Sequence, residues 1–460
     1  MTGVAEDDAR ARAAPAGGLI RILGTGFGLA VIVGSTLGIG ILRTPGLVAA
    51  QLASPPRILA VWVLGGLYTL LGAVCLTELG TMLPQAGGYY VYARRAFGDT
   101  VGFAVGWSDW ITYCAVLGYV AIAIGEFAAV LWPPLQPAIK LVAALVLILF
   151  AILQWAGLRV SSRFQEIATA IKCLAFLALV AACFVHATTT AAPSAGPKGL
   201  GAPAAGFLGL VVALQSVVIT YGGWQSALYF TEEDRDPRRN LPRSMIGGVL
   251  SVLVIYLLVN VALLAVLPVS ALAGSTLPAA DAAKAIFGGG GGQVITLLSL
   301  VSLPPLVNAI MMIGTRILFA LGRDGLLWRG TAAVNDRGTP TVATFVTTAV
   351  AVVLIASGTF QKLVAVASFF LAANYCASCL ALVVLRRREP GAERPFRAWG
   401  YPWSAGIVLA GAAAFLASVL VEDTRTALVA IALLAAGLLG RALRSRRATV
   451  GVSRSEAGAP

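Results

Sequence analysis

The sequence predicts an all-α protein that crosses a bilayer many times. Three observations predict it. Of 460 residues, 58% are hydrophobic and only 12% are charged. The apolar residues gather into runs as long as a membrane-spanning helix requires, about 20 residues. The Lys and Arg residues fall in alternate gaps between those runs.

A water-soluble chain carries about 25% charged residues, so about half of the charge that would face water is missing. Hydrocarbon offers no hydrogen-bond partners, and a helix is the element that pairs its backbone within one segment. Apolar runs between charged or Pro/Gly-rich breaks give twelve spans. The first six lie near Gly24–Leu42, Ile58–Met82, Val101–Leu131, Ile139–Leu158, Ile167–Val185 and Ala205–Phe230. The second six lie near Met245–Leu267, Val294–Leu321, Val342–Ala356, Leu363–Leu385, Trp403–Leu420 and Ala427–Leu443.

With the N-terminus in the cytosol, twenty-four of the 33 Lys and Arg residues fall in cytosolic segments and seven, Arg43 among them, in external ones; Lys172 and Arg316 fall within spans. Positive-inside insertion produces this asymmetry, which predicts both termini inside and a plasma (inner) membrane location. The net charge of +13 is thus a topology signal and not a nucleic-acid footprint. Residues 1–18 are polar, with Glu6, Asp7 and Asp8, and lack the pattern of a removable signal peptide, so the first span is expected to be retained. All six cysteines lie in apolar segments, which argues against a disulfide framework, and Cys376-x-x-Cys379 reads as helix packing. With one histidine, His186, and no His-Glu-x-x-His or Gly-x-Ser-x-Gly pattern, the residues point away from an enzyme and imply no cofactor and no metal.

Two spans are interrupted at corresponding places. The first reads Gly34-Ser35-Thr36-Leu37-Gly38-Ile39-Gly40, and the sixth reads Ile219-Thr220-Tyr221-Gly222-Gly223-Trp224. Each glycine costs a helix about 1 kcal/mol relative to alanine. Broken helices in matching positions of two halves point to a midplane site in an inverted-repeat carrier. Unwinding frees N–H and C=O groups that only a ligand or trapped water satisfies at that depth. A zwitterion suits them, its carboxylate on half-helix amides and its ammonium on half-helix carbonyls.

The residues around these breaks resemble the amino acid–polyamine–organocation superfamily. Gly34-Ser35-Thr36-Leu37-Gly38-Ile39-Gly40-Ile41 through Pro45 is similar to its first-span signature, and Thr77-Glu78-Leu79-Gly80 through Pro84, with Gly87-Gly88-Tyr89, to the loop after span two. Tyr221-Gly222-Gly223-Trp224, followed by Glu232, Glu233, Pro237, Arg238 and Asn240, resembles the L-type amino acid transporter branch and its bacterial relatives. Gly322-Arg323-Asp324-Gly325 and Glu393-Arg394-Pro395-Phe396 extend the likeness towards the C-terminus.

The resemblance implies a LeuT-type 5+5 inverted repeat, with residues 21–187 and 205–386 as the two repeats. Segment 188–204 is then an external loop, 387–443 two further helices, and 1–20 and 444–460 cytosolic tails. It also implies that the amides of Gly38, Ile39 and Gly40 hold the substrate carboxylate, and that the carbonyls of Thr36, Ile219 and Gly222 hold the ammonium, with Thr220, Tyr221 and Gly223 completing the site. Many relatives carry Ser or Thr at the position of Ile39, so this chain lacks a hydroxyl there. The loop Trp132–Pro137 has no cysteine, which predicts no disulfide-linked ancillary subunit.

Ionisable groups at bilayer depth cost at least about 2.5–3.5 kcal/mol on insertion scales and mark functional positions by default. Lys172 resembles the span-five lysine that takes the place of sodium in sodium-coupled relatives; the likeness ties it to Gly34 and to Gly314 and Thr315 of span eight. It reads as a proton-responsive coupling group or as a permanently charged strut. Asp109 lies at similar depth, about 15 Å in; it reads as lining an inward path, as communicating with Lys172, or as a carboxylate bonded to nearby hydroxyls. Glu78 reads as structural, Glu126 and Arg316 as packing or gating pairs, and Asn308 and Asn374 as pocket residues or interhelical hydrogen-bonders. The expected function is secondary transport of a small-molecule amino acid, in contact with membrane lipid and either coupled to protons or by exchange. The alternatives are a polyamine or organic amine carrier and a non-transporting receptor.

Overall fold

The computed structural model describes residues 18–189, 206–358, 360–422 and 427–442. Most of both tails, the 190–205 stretch with Lys198, and Arg425 lie outside the described residues. Among the described residues every regular element is helical, and the extended pairing is confined to two isolated bridges, Leu23 with Asp234 and Val334 with Pro340.

The chain begins with a bent pair, α1 (Thr25–Thr36) and α2 (Gly40–Leu52), whose axes differ by 50°. Next come α3 (Pro55–Met82), a short α4 (Tyr89–Phe97), α5 (Asp99–Leu131), α6 (Ile139–Trp155) and α7 (Leu158–Thr189). Helix α8 (Phe207–Thr220) is followed, after the turn at Tyr221–Gly223, by a 3-10 segment, Trp224–Phe230. The rest is α9 (Pro237–Val266), α10 (Val269–Gly274), α11 (Pro278–Phe287), α12 (Gly291–Arg323), α13 (Thr341–Ser357), α14 (Phe360–Arg388), α15 (Trp403–Glu422) and α16 (Ala427–Ala442). Pro55, Pro237 and Pro278 open their helices at the position where a missing N–H costs nothing.

Among the described residues, eight segments are long and apolar enough to cross a bilayer, and nine are if the bent pair is one crossing; α13, the Trp403–Ser418 part of α15, and α16 are shorter apolar helices. The chain is therefore a multi-pass membrane protein. The first apolar run ends later than the sequence predicts, at Leu52 and not Leu42, because Arg43 sits on an exposed face of α2 and Pro45 is accommodated one turn inside it. Arg43 thus belongs to a helix and not to a loop. The stretch between α9 and α12, expected as loop, folds into α10 and α11, which cover α2.

Burial divides the helices into two populations. The most apolar stretch of the segment Pro278–Arg323, which contains α12, is 67% buried, whereas that of the segment containing α6 is 22% buried. Accordingly α12 packs along α5, α7 and α1, while α6 turns Leu149 and Ile152, each 63% exposed, outward. Side chains of that kind on the rim face acyl chains. Helix α9 packs against both α3 and α1, so the first break is enclosed by α7, α9, α12 and the turn after α8.

Candidate functional site

The two interruptions meet. Helix α1 stops at Thr36, and its cap Leu37 leaves the helical region with ψ 99°. The second stops at Thr220, with Gly223 at φ +115°. A Cβ on Gly223 would lie 2.7 Å from the Ser35 carbonyl carbon and oxygen and 2.9 Å from the Thr36 nitrogen, so the two backbones touch there. Ser35 Oγ and Ser226 Oγ lie 2.7 Å apart and 3.0 and 2.6 Å from the Gly223 carbonyl, so their two protons are shared among three contacts that join the segments. Thr44 and Thr220 share a hydroxyl pair at 2.7 Å.

This arrangement decides which backbone groups remain open. Among the described residues the N–H groups of Gly38 and Ile39 find no acceptor, and the Gly222 carbonyl receives no donor. The other two expected carbonyls carry a donor each: Ile219 O accepts the Gly222 N–H at 2.9 Å, and Thr36 O accepts the Tyr256 hydroxyl at 2.7 Å. Each keeps a second lone pair. Gly38 is buried, and a Cβ built on it would meet Leu306 Cδ2 at 3.9 Å, so a methyl-sized group fits beside the free amides. Ile39 and Gly40 are half-buried, and the Ile219 side chain is 50% exposed. The Thr36 hydroxyl is buried without a hydrogen-bond partner, which leaves a side-chain donor at the break where Ile39 offers none.

Sequence reasoning missed Tyr256. Its fully buried hydroxyl lies 2.7 Å from Thr36 O and 2.9 Å from Thr220 O, capping both interrupted helices from α9. The one signal was a polar tip in an apolar run, with Asn260 a turn further on; no spacing rule links it to the glycines.

Lys172, fully buried on α7, donates from Nζ to the Gly34 carbonyl at 2.8 Å. That carbonyl would accept from residue 38 in a continuous helix, and the break removes that donor. The expected partners on α12 are elsewhere. A Cβ on Gly314 would point at Thr347 Cγ2, 3.1 Å away, and Thr315 Oγ1 is bonded to Met312 O and Arg316 Nη1. Helix register explains the correction. Helix α1 runs parallel to α7, since Ala30 meets Gln165 and Thr169 while Gly34 meets Lys172. It runs antiparallel to α12, since its start at Leu23 is joined through Glu233 to Arg316 and Ala30 through Gln165 to Asn308, so α7 and α12 are antiparallel. Asn308 is level with Ser161 and Gln165. Lys172, about 10 Å further along α7 at 1.5 Å per residue, is therefore level with the stretch before Asn308. Ser302, whose buried hydroxyl has no partner, lies there.

Asp109 is fully buried. Tyr229 Oη donates to its Oδ2 at 2.8 Å and Asn374 Nδ2 to its Oδ1 at 3.5 Å, while Ser108 Oγ donates to Asn374 Oδ1. Among the described residues no Lys or Arg pairs with Asp109 and no carboxylate pairs with Lys172, so these two groups are joined to different parts of the structure. Asn374 faces Asp109, and Glu126 is exposed on α5.

The remaining buried charges are paired. Arg316 and Glu233 form a two-pronged bridge at 2.9 and 3.1 Å with side chains at most 1% exposed. Glu78 holds Arg386 at 2.5 Å and Arg394 at 3.1 Å and accepts the Ala398 N–H at 2.7 Å. Glu232 with Arg323 and Asp324 with Arg94 close the same arginine-rich end. At that end the Glu232 bridge and the hydrogen bond it accepts from the Ala86 N–H tie α12 to the loop after α3.

A multi-pass helical membrane protein with two interrupted helices juxtaposed at a buried, partly open backbone site defines the class of membrane permeases. Within that class the chain belongs to the amino acid permease family, part of the amino acid–polyamine–organocation superfamily: a family profile described as amino acid permease matches residues 28–436. Among similar proteins are the serine/threonine exchanger SteT of Bacillus subtilis (strain 168), 27% identical over 92% of this chain and 96% of its own length, and the mouse Asc-type amino acid transporter 1, 30% identical over 80% and 71%. The branched-chain amino acid permease BcaP of Lactococcus lactis subsp. cremoris (strain MG1363) is 26% identical over 82% and 84%.

Proposed function

We propose that this chain is a secondary carrier that moves amino acids across the plasma membrane by alternating access. The observation that carries the reading is the pair of interrupted helices, with the Gly38 and Ile39 amides and the Gly222 carbonyl left open where they meet. A carboxylate accepts from the amides and an ammonium donates to the Gly222 carbonyl and to the spare lone pairs of Thr36 and Ile219. The Thr36 hydroxyl adds a donor to the headgroup. Thr220, Tyr221, Gly223 and Gly40 shape this pocket as its walls. The family profile and relatives named for serine/threonine exchange and branched-chain amino acids support an amino acid as the cargo. An amine dication fits less well, because Asp109 is turned to Tyr229 and Glu126 is exposed, so neither offers the pocket a carboxylate.

The same reading takes the chain as twelve spans in a 5+5 inverted repeat with two appended helices and both termini cytosolic. The positions of the breaks and the arginine-rich end that carries Arg94, Arg323 and Arg386 support it. Uptake is driven by protons or by counter-substrate; 100 mV supplies about 2.3 kcal/mol per charge, enough for accumulation.

Reconstitution in liposomes with labelled amino acids, with and without a pH gradient and with or without internal substrate, tests the function. Uptake or exchange of at least one neutral amino acid is expected. Movement of amines alone would overturn the reading. For coupling, Lys172→Ala removes the donor from Gly34 O. A charge-assisted bond is worth about 1.5–3 kcal/mol, so exchange is expected to slow about 10- to 100-fold and any response to the pH gradient to vanish. A retained response places the proton on another group.

A further inference from the structure

Three amide side chains and the Thr169 hydroxyl, each at most 4% exposed, link α6 through α12 and α7 to α1. Thr339 Oγ1 donates to the backbone carbonyl of Gln154, at the end of α6, at 2.7 Å. Gln154 Nε2 donates to Asn308 Oδ1 on α12 at 2.7 Å, and Asn308 Nδ2 donates to Gln165 Oε1 on α7 at 2.8 Å and to Ser161 O at 3.1 Å. Gln165 Nε2 donates to the Ala30 carbonyl of α1 at 3.3 Å, joined by Thr169 Oγ1 at 3.1 Å. This linkage has one polarity. Every amide donates towards α1, and the Ala30 carbonyl, which can only accept, fixes that direction.

Gln165, Thr169 and Lys172 lie on one face of α7, because residues three, four and seven apart stack on a helix. All three donate to carbonyls of α1, at Ala30 and Gly34. The position of Gln165 along α7 therefore sets that of Lys172, and Asn308 holds α7 at two points, Gln165 Oε1 and Ser161 O. We infer that Asn308 is a positioning residue for transport: through Gln165 it holds α7 at the height where Lys172 meets the Gly34 carbonyl beside the break. Asn308 does not touch the open amides, so its effect falls on the movement of α1 and not on substrate affinity. The inference rests on the carrier reading above.

Amino acid exchange in proteoliposomes tests it with full-length wild type, Asn308→Leu, Lys172→Ala and the double variant. Leucine keeps the volume of Asn308 and removes every relay bond. Asn308→Leu is expected to lower the maximal exchange rate at least tenfold with the half-saturating substrate concentration unchanged within about twofold. In the Lys172→Ala background it is expected to cost less than twofold more, since residues acting through one contact are not additive. Multiplying losses, or a loss confined to affinity, would overturn the inference while wild-type exchange leaves the carrier reading intact; absence of wild-type exchange would overturn both. Amide hydrogen exchange gives a readout independent of activity. Asn308→Leu and Lys172→Ala are each expected to speed exchange in residues 25–36, and faster exchange confined to residues 150–165 would refute the link. Should Asn308→Leu fail to purify as a monodisperse protein, Gln154→Leu removes only the far end of the relay and is read by the same two measurements.

Discussion

Gly223→Ala is expected to abolish transport, while Gly222→Ala, one residue earlier, keeps much of it. Gly223 sits at φ +115°, a conformation that costs a residue with a side chain about 1–3 kcal/mol. Its Cβ would also press on the Ser35 backbone at 2.7 Å, and backbone cannot rotate away. Relief requires the two interrupted helices to separate, which pulls Ser35 away from the Gly223 carbonyl and the Ser226 hydroxyl. At Gly222 the new methyl meets a single atom at 3.0 Å, Ile219 O, and φ is not in the left-handed region. Exchange rates of the two variants in liposomes, at matched reconstitution, check this. Equal losses would show that the close approach at Gly223 is not what the site needs.

Arg316→Met is expected to cost about 3–5 kcal/mol of stability, because Glu233 would be left buried and uncompensated. The loss is measured as the fall in the temperature at which the detergent-purified protein stops eluting as a single species. Replacing both partners, Glu233→Gln with Arg316→Met, is expected to recover most of it, since the penalty belongs to the stranded charge. Arg238→Ala serves as the control. Its bridge to Glu393 has side chains 60% and 70% exposed, and exposed pairs contribute about 0–1 kcal/mol. A drop for Arg316→Met no larger than for Arg238→Ala would mean that burial does not set the value of the inner bridge.

Fold class was legible because it depends on quantities that add along the chain. Apolar length and charge spacing do not require knowing which helix touches which. The breaks were legible for a related reason: three glycines between Gly34 and Gly40, and two at Gly222 and Gly223, weaken a helix wherever it packs. Glu78 was legible as structural from its place at the end of its span, and the structure gives it Arg386 and Arg394 as partners.

Contacts between helices were less legible. Gly314 and Thr315 were expected beside Lys172, but sequence distance does not encode the register of two antiparallel helices. A distance of about 20 Å along α12 separates the expected partners from the level that Lys172 occupies. Tyr256 escaped for the same reason, since its value comes from two carbonyls that lie 220 and 36 residues away in the chain.

The sequence by itself determined that this protein lives in a bilayer and where its two helices break. The tertiary structure alone decided which of two adjacent glycines cannot change, which carbonyl Lys172 completes, and which amides hold α7 against α1. Composition and periodicity are summed within one helix, whereas each of those answers is a distance between helices, fixed only once their registers are set by packing.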